Sequence, residues 1–397
     1  YEIMSSDWSS DVCSSDLIDQ TVEAAVSELN AGRKPLITFH STNSALFNEL
    51  SRDENGTKLS DEALSEIPEL SLRDQIRRIH ERIYFARLNG ERTDTRTINP
   101  EVAAAYDSIN ALIDQLPELP VSPLDALVER LEAAGVRVGE ISGRSLAYRN
   151  GRIERRDREE RDRKAIIDAF NAGEKDALIY NSAGATGGSY HASPHFRDQR
   201  GRTMIELEAP TDVIKYVQSQ GRGNRKGQVV DPRVVTIMTG LTPEMRIMQQ
   251  RNAKLRSLGA SVDGNRSHPM LLDDVPDFLN RVGDEATHNV LSMNPTLARR
   301  MGFTDYGEEE IGLDDGGQQA GDTGSSGIAA KDSLSNKVLA RSLMLSGSEQ
   351  TDLVNRIKME FDVLIEELDS RNANPLKPKE FAGQVEVKAT SMFSGYE

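Results

Sequence analysis

Two guanidiniums and an amide recur at helical spacing in Gln218-Ser219-Gln220-Gly221-Arg222-Gly223-Asn224-Arg225. Thr211-Asp212 ahead of them reads as a helix cap, and Val213, Ile214, Tyr216 and Val217 supply an apolar period. Gln218, Arg222 and Arg225 therefore fall at i, i+4 and i+7, on one helical face. Such a face suits a phosphate chain. Arginine offers a rigid, permanently charged fork to phosphate oxygens, and Gly221 and Gly223 allow a backbone or ligand to come close. A solvated basic helix end has the same spacing, so the pattern alone leaves both uses open.

Two further segments join a strand to a loop, the place where open α/β sheets bind ligands. In Asn181-Ser182-Ala183-Gly184-Ala185-Thr186-Gly187-Gly188-Ser189-Tyr190-His191-Ala192, glycines and small hydroxyls leave backbone N–H groups available to phosphate. No Lys follows the glycines, and nothing in the sequence matches a Walker A loop. In Thr38-Phe39-His40-Ser41-Thr42, a strand runs into a helix start capped by Ser41 or Thr42, which could hold an anion or be an ordinary capped turn. His191 and His195 lack a carboxylate at ligand spacing, and Pro194 argues against the helix they would need, so no metal site is expected. In the basic run from Arg144 to Lys164, only Arg144, just after a strand, is kept as a candidate. The others read as a solvated helix face.

These residues need a scaffold, and an α/β alternation supplies it. A helical period (Val22, Val26, Leu29) precedes a strand at Pro35–Phe39, which opens a lobe over 18–50. Residues 51–121 read as a helical insertion with Ile76, Ile79, Ile83 and Tyr84 on its apolar face. The alternation resumes over 122–270: a helix from Ser122-Pro123 to Gly135 and a strand at Val136–Ile141. A charged helix at about Arg155–Phe170 follows, then strands at Ala177–Tyr180, Thr203–Leu207 and Val234–Met238. Strands alternating with helices predict a parallel sheet covered on both faces. A helical extension (271–311), a Gly/Asp/Ser linker (312–330) and a helical unit (331–397) with Leu353, Ile357, Phe361, Leu364 and Ile365 in register complete the chain. Residues 1–17 repeat Ser-Ser-Asp without a hydrophobic period and hold the single Trp and single Cys. We read them as a non-native or disordered leader that has replaced native upstream sequence.

At 397 residues the chain should hold about two or three folding units. A formal charge of −16 excludes a surface that is basic all over, so any nucleic-acid contact must be a local stripe. One Cys forms no internal disulfide, no apolar run reaches the length of a membrane span, and no targeting segment is visible. The expected compartment is the cytoplasm, of a bacterium or an infected cell.

Taken in order, the segments resemble the second motor domain of superfamily-2 helicases. More specifically, they resemble the C-terminal helicase domain of the strawberry-notch family, including bacterial and phage helicase–methylase relatives. The resemblance rests on Gly187-Gly188-Ser189-Tyr190-His191-Ala192, Gln218 to Arg225, Glu244-Met245-Arg246-Ile247 and Ser257-Leu258-Gly259-Ala260, with Ser142-Gly143-Arg144 after a strand. It covers residues 30 to 300 and echoes at Asn374-Pro375-Leu376. It implies a RecA-like, P-loop-type second lobe that closes on ATP and Mg held by an N-terminal partner lobe. Arg222 and Arg225 would be arginine fingers, and Gln218 and Gly221 would lie at the nucleotide. Gly187 and Ser189 would couple the nucleotide to a DNA strand, with RNA left open. Asn181, Ser182, Thr186, Ser41, Thr42 and Arg144 would contact that strand. Ser189 stands where many members carry Asp, and Asn181-Ser182 replaces the commoner Thr-Asp or Ser-Glu; both departures bear on the coupling role. The rival class is a catalytically silent nucleic-acid or protein interaction scaffold.

Overall fold

The computed structural model describes residues 2–5, 14–39, 44–53, 55–67, 70–88, 91–116, 120–181, 184, 187–207, 212–239, 242–263, 275–303 and 333–377. The chain opens with β1 (Glu2–Ser5), α1 (Ser14–Asn30), β2 (Lys34–Thr38) and α2 (Ser44–Leu50). Next come α3 (Asp61–Ser65), α4 (Leu72–Ile83), the antiparallel pair β3 (Phe85–Leu88) and β4 (Glu91–Asp94), and α5 (Pro100–Asp114). They are followed by α6 (Pro123–Ala133), β5 (Val138–Ile141), β6 (Leu146–Arg149), β7 (Arg152–Arg155), α7 (Arg158–Arg161), α8 (Arg163–Ala172) and β8 (Ala177–Tyr180). The remainder holds β9 (Arg202–Glu206), α9 (Val213–Gly223), β10 (Arg233–Met238), α10 (Thr242–Asp263), α11 (Arg281–Met293), α12 (Pro295–Arg300), α13 (Leu334–Arg341) and α14 (Gly347–Ser370).

Six strands form one parallel sheet in the order β1-β10-β9-β2-β8-β5. Alternation along each strand loads both faces. Ile37, Ile179, Ile205 and Val235 pack with α1 and α6, whereas their neighbours Leu36, Leu178, Met204 and Val234 pack with α8 and Tyr190 on the other side. The α/β expectation therefore holds, with strand ends within two residues of those read from the sequence. β1 lies within the stretch set aside as a leader and pairs along β10 at the sheet edge; α1 begins at Ser14.

The charged helix expected over Arg155–Phe170 is not one helix. Its start belongs to the β6–β7 hairpin, whose corner is Asn150-Gly151 with φ of 50° and 76°, the paired positive values of a type I′ turn. The Asn-Gly pair flanked by Leu146, Tyr148 and Ile153 was the signal for it. Leu146 and Ile153 turn inward onto Phe47 and Leu64, and so tie the insertion to the lobe.

Within the insertion, the expected apolar face is also displaced. Tyr84 is buried as expected, but Ile79 and Ile83 are more than half exposed, and His80 shares the buried side with Tyr84 in their place. His80 stacks on Tyr106 at 4.7 Å and hydrogen-bonds Asn110 at 3.2 Å and Tyr84 at 3.0 Å. Ring stacking with satisfied polar tips outcompetes the aliphatic stripe here.

The helical extension and the terminal helical unit share one core: Phe278, Leu291 and Met301 interlock with Val338, Leu339, Leu353 and Ile357. The linker between them (312–330) lies outside the described residues. No helix among the described residues is long and apolar enough to cross a membrane.

Candidate functional site

Helix α9 starts as its sequence requires. Asp212 accepts from the backbone N–H groups of Ile214 at 2.9 Å and Lys215 at 3.3 Å, which satisfies donors that have no partner within the helix. The helix ends sooner than the i, i+4, i+7 spacing assumed. Asn224 is extended (φ −121°), so Arg225 lies beyond the helix and does not share a helical face with Gln218 and Arg222.

Tertiary packing nevertheless brings the two arginines together. Between β8 and β9, Tyr190 packs on one face of the sheet, and the adjoining Gly188-Ser189 turn receives both side chains. Arg222 Nη1 and Arg225 Nη2 each donate to the Gly188 carbonyl at 3.2 Å, and Arg225 Nη1 donates to Ser189 Oγ at 2.8 Å. Arg225 Nε reaches back to the Gly221 carbonyl at 3.2 Å, which aims the fork although its backbone has left the helix. Both side chains are half-buried. Arg222 Nε is buried with no hydrogen-bond partner among the described residues, so one donor in the cluster is uncommitted.

The turn itself is held firmly. A Cβ on Gly188 would overlap Tyr190 Oη, and one on Gly184 would sit 2.6 Å from the Ile141 carbonyl, so neither position has room for a side chain. Gly187 has φ of 73°, a left-handed conformation that glycine adopts without strain. Tyr190 is buried against Tyr180; its hydroxyl donates to the Gly184 carbonyl at 2.5 Å, and its N–H donates to the Arg222 carbonyl at 3.1 Å. Asn171 and Arg202 donate to the Ser189 and Tyr190 carbonyls at 3.1 and 2.8 Å. Burial raises the Tyr190 pKa, so its phenol stays protonated as a donor. His191 is pushed down from its ordinary value by burial and then by the charges of Arg225 and Arg202; it stays neutral beside the arginines.

The remaining candidates separate. Gln218 is exposed and is not among the residues bonded to the turn. A Cβ on Gly221 would meet nothing within 4 Å, so that backbone faces open space. Gly223 differs: its Cβ would press on Leu36 Cδ1 and Met204 Sδ at 2.8 Å, so this glycine lets α9 lie close on the sheet and not a ligand on α9. Asn181 donates to the Ser142 carbonyl at 2.8 Å and accepts from Gly184 N–H at 3.4 Å, ties that shape the loop from within. Ser41, Thr42, Ser182 and Thr186 lie outside the described residues.

Arg144 is corrected outright. Its guanidinium is buried and donates to both oxygens of Asp125 (2.6 and 2.7 Å) and of Glu140 (2.7 and 2.8 Å). It closes a salt-bridged cluster beneath the surface, and no face of it is presented to a strand. A charged residue after a strand carries no sequence signal that separates these two uses.

Linear reading missed three contributors. Arg163 donates to the Gly184 carbonyl at 3.2 Å from the start of α8. Lys34, fully buried, contacts Asp198 at 2.9 Å and the Phe170 carbonyl at 2.5 Å, and burial holds its pKa down to about 8. Glu206 at the end of β9 binds Gln220 of α9. The only trace of Glu206 in the sequence is a carboxylate inside the apolar run Met204-Ile205-Glu206-Leu207. Among the described residues no group of His, Cys, Asp or Glu is arranged to hold a metal ion.

Residues 122–373 match the family described as the C-terminal domain on strawberry notch homologues. Protein strawberry notch homolog 2 of Mus musculus is 29% identical over 281 residues, 63% of this chain and 20% of that protein. Its Homo sapiens counterpart is 32% identical over 187 residues, 44% of this chain and 14% of that protein. The chain thus spans a fifth or less of the length of these relatives. Among solved structures, S. cerevisiae Dbp5 bound to RNA and ADP BeF3 is 12% identical with a TM-score of 0.30, covering 63% of this chain and 39% of that one. The C-terminal part of the Fun30 ATPase domain is 14% identical with a TM-score of 0.27, covering 63% of this chain and 88% of that one.

Proposed function

The chain belongs to the strawberry notch C-terminal helicase family, and from that premise we propose that it is the second motor lobe of an ATP-dependent DNA helicase or translocase. In this reading Arg222 and Arg225 face a nucleotide held by an N-terminal lobe. The observation that carries the reading is that both arginines, from the last turn of α9 and just beyond it, bond the Gly188-Ser189 turn 34 to 37 residues earlier in the chain. A loop meant to report nucleotide state to a nucleic-acid strand has to touch the groups that sense the nucleotide.

The residues fit a triphosphate. Arg222 keeps a buried Nε without a partner among the described residues, and a Cβ on the preceding Gly221 would meet nothing within 4 Å. Bound there, ATP supplies the transferring phosphoryl group and Mg its counter-charge. These 397 residues hold no Walker A lysine, so both would be held chiefly by the other lobe. Arg222 and Arg225 would bring planar forks to the phosphate oxygens as charge develops on them, and in doing so would release Gly188 and Ser189. That exchange of partners would be a physical route from nucleotide to turn, begun where Ser189 loses its bond to Arg225 and passed on through Gly187.

The test is DNA-stimulated ATP hydrolysis by the complete protein expressed from its gene. Arg222→Ala and Arg225→Ala should each lower kcat by about 10³–10⁵ and leave the KM for ATP nearly unchanged. Arg225→Lys should restore little, because a point charge cannot reach two oxygens. Normal hydrolysis with weakened DNA binding in both alanine variants would make the cluster a backbone-binding face. Normal hydrolysis with a lowered Tm would make it a loop staple on a silent scaffold.

A further inference from the structure

We propose that Glu206 and Arg251 form a positioning pair that fixes the arginine-bearing helix α9 in register for the site, an inference that rests on the function proposed above. Glu206 ends β9 and Arg251 sits mid-way along α10; both side chains are 1% exposed and lie 2.9 Å apart. A buried ion pair of this kind adds little net stability over an apolar replacement, so its presence calls for a use other than holding the fold.

The contacts indicate that use. Glu206 Oε1 accepts from Gln220 Nε2 at 2.5 Å, two residues before Arg222. Its Oε2 accepts from Thr236 Oγ1 of the neighbouring strand at 2.8 Å and from Arg251 Nη1 at 2.9 Å. Arg251 in turn lies over the Tyr216 ring at 4.3 Å. Tyr216 and Gln220 are i and i+4 on α9, so one helix face is gripped at two points a turn apart. The residue before Arg251 on α10 continues the connection: Gln250 donates to Asn336 of α13 at 2.9 Å. Rotation or sliding of α9 would break the carboxylate's directional bonds before it disturbed the apolar packing. Directional bonds define a position in a way that contact between methyl groups does not.

A merely structural pair and a positioning pair respond differently to joint removal. Arg251→Met alone should lower Tm, since it leaves a buried carboxylate without its cation. Glu206→Gln/Arg251→Met together should restore Tm by removing both charges. The double variant should still show amide exchange in the last turn of α9 faster by about tenfold, read at Asn224, whose N–H donates to the Gln220 carbonyl at 3.0 Å. In the complete protein its kcat for ATP should fall by about tenfold with KM unchanged, the mark of a lost geometry and not of lost binding. If the double variant recovers Tm, exchange and kcat together, the pair is structural and the proposal is overturned. If exchange rises while the complete protein shows no arginine-dependent ATPase, the positioning of α9 stands and the motor reading falls.

Discussion

Replacing Arg144 with Met separates a strand-binding arginine from a buried structural one. Met keeps the length and apolar stem, so the loss is four charge-assisted hydrogen bonds to Asp125 and Glu140. The two carboxylates are left unequally provided. Glu140 keeps Arg156 at 3.0 Å and the Ser142 hydroxyl, whereas Asp125 keeps the Tyr148 N–H at 2.9 Å, the Ser122 hydroxyl and the charge of Arg149 nearby. Breaking a buried pair in this way costs about 3–5 kcal/mol, and the cation retained by Glu140 places this case toward the lower end. At about 2–4 °C per kcal/mol for a lobe of this size, Tm should fall by roughly 6–12 °C in a thermal melt followed by circular dichroism.

The pH response of the same variant has a definite sign. Burial raises the Glu140 pKa, but the hydrogen bonds and charge of Arg144, then Arg156 and Ser142, outweigh it and hold the group below its ordinary value. A carboxylate depressed in the folded state stabilises above its unfolded pKa and loses that contribution as pH falls through the folded pKa. Without Arg144 the burial effect gains, so acid unfolding of the variant should begin at a higher pH than in the parent. Affinity for a labelled single-stranded oligonucleotide, measured well below the variant's Tm, should be unchanged. A variant with parental Tm and weakened oligonucleotide binding would refute the buried-cluster account and return Arg144 to a strand.

Three other outcomes are expected. Gly223→Ala should destabilise by about 1–3 kcal/mol, because its Cβ would meet Leu36 and Met204 at 2.8 Å, readable in a urea melt. Gly221→Ala should stabilise by about 0.5–1 kcal/mol, since the position is helical and open; under the proposed function, ATP turnover in the complete protein should still drop as the methyl enters that open space. Binding of single-stranded DNA should weaken about twentyfold between 50 and 200 mM salt, the behaviour of about three phosphate contacts, and salt-insensitive binding by anisotropy would point to base stacking instead.

The alternation of apolar runs and helical periods gave the parallel sheet and its two covered faces directly, because a strand buried on both sides must be apolar at successive positions. Leu36-Ile37 and Leu178-Ile179 show this and could be read without coordinates. The arginine pair and the Gly187-Gly188-Ser189 turn were also legible as separate chemical segments. The structure adds that they meet, although Arg225 does so from beyond the helix end and not from a shared face.

Where the reading failed, local pattern was silent about partners. Arg144 and Arg222 are the same residue type in comparably polar surroundings, and only the approach of Asp125 from α6 makes one a buried brace. Glu206 was passed over inside an apolar strand because its partners, Gln220 and Arg251, lie 14 and 45 residues away. Gly221 and Gly223 stand two residues apart with opposite uses, and the difference lies in which of them faces the sheet. Periodicity and side-chain chemistry are properties of a segment and survive in the sequence. Burial, charge pairing and the convergence of distant loops are properties of the folded chain, and arise only when the sheet brings segments together.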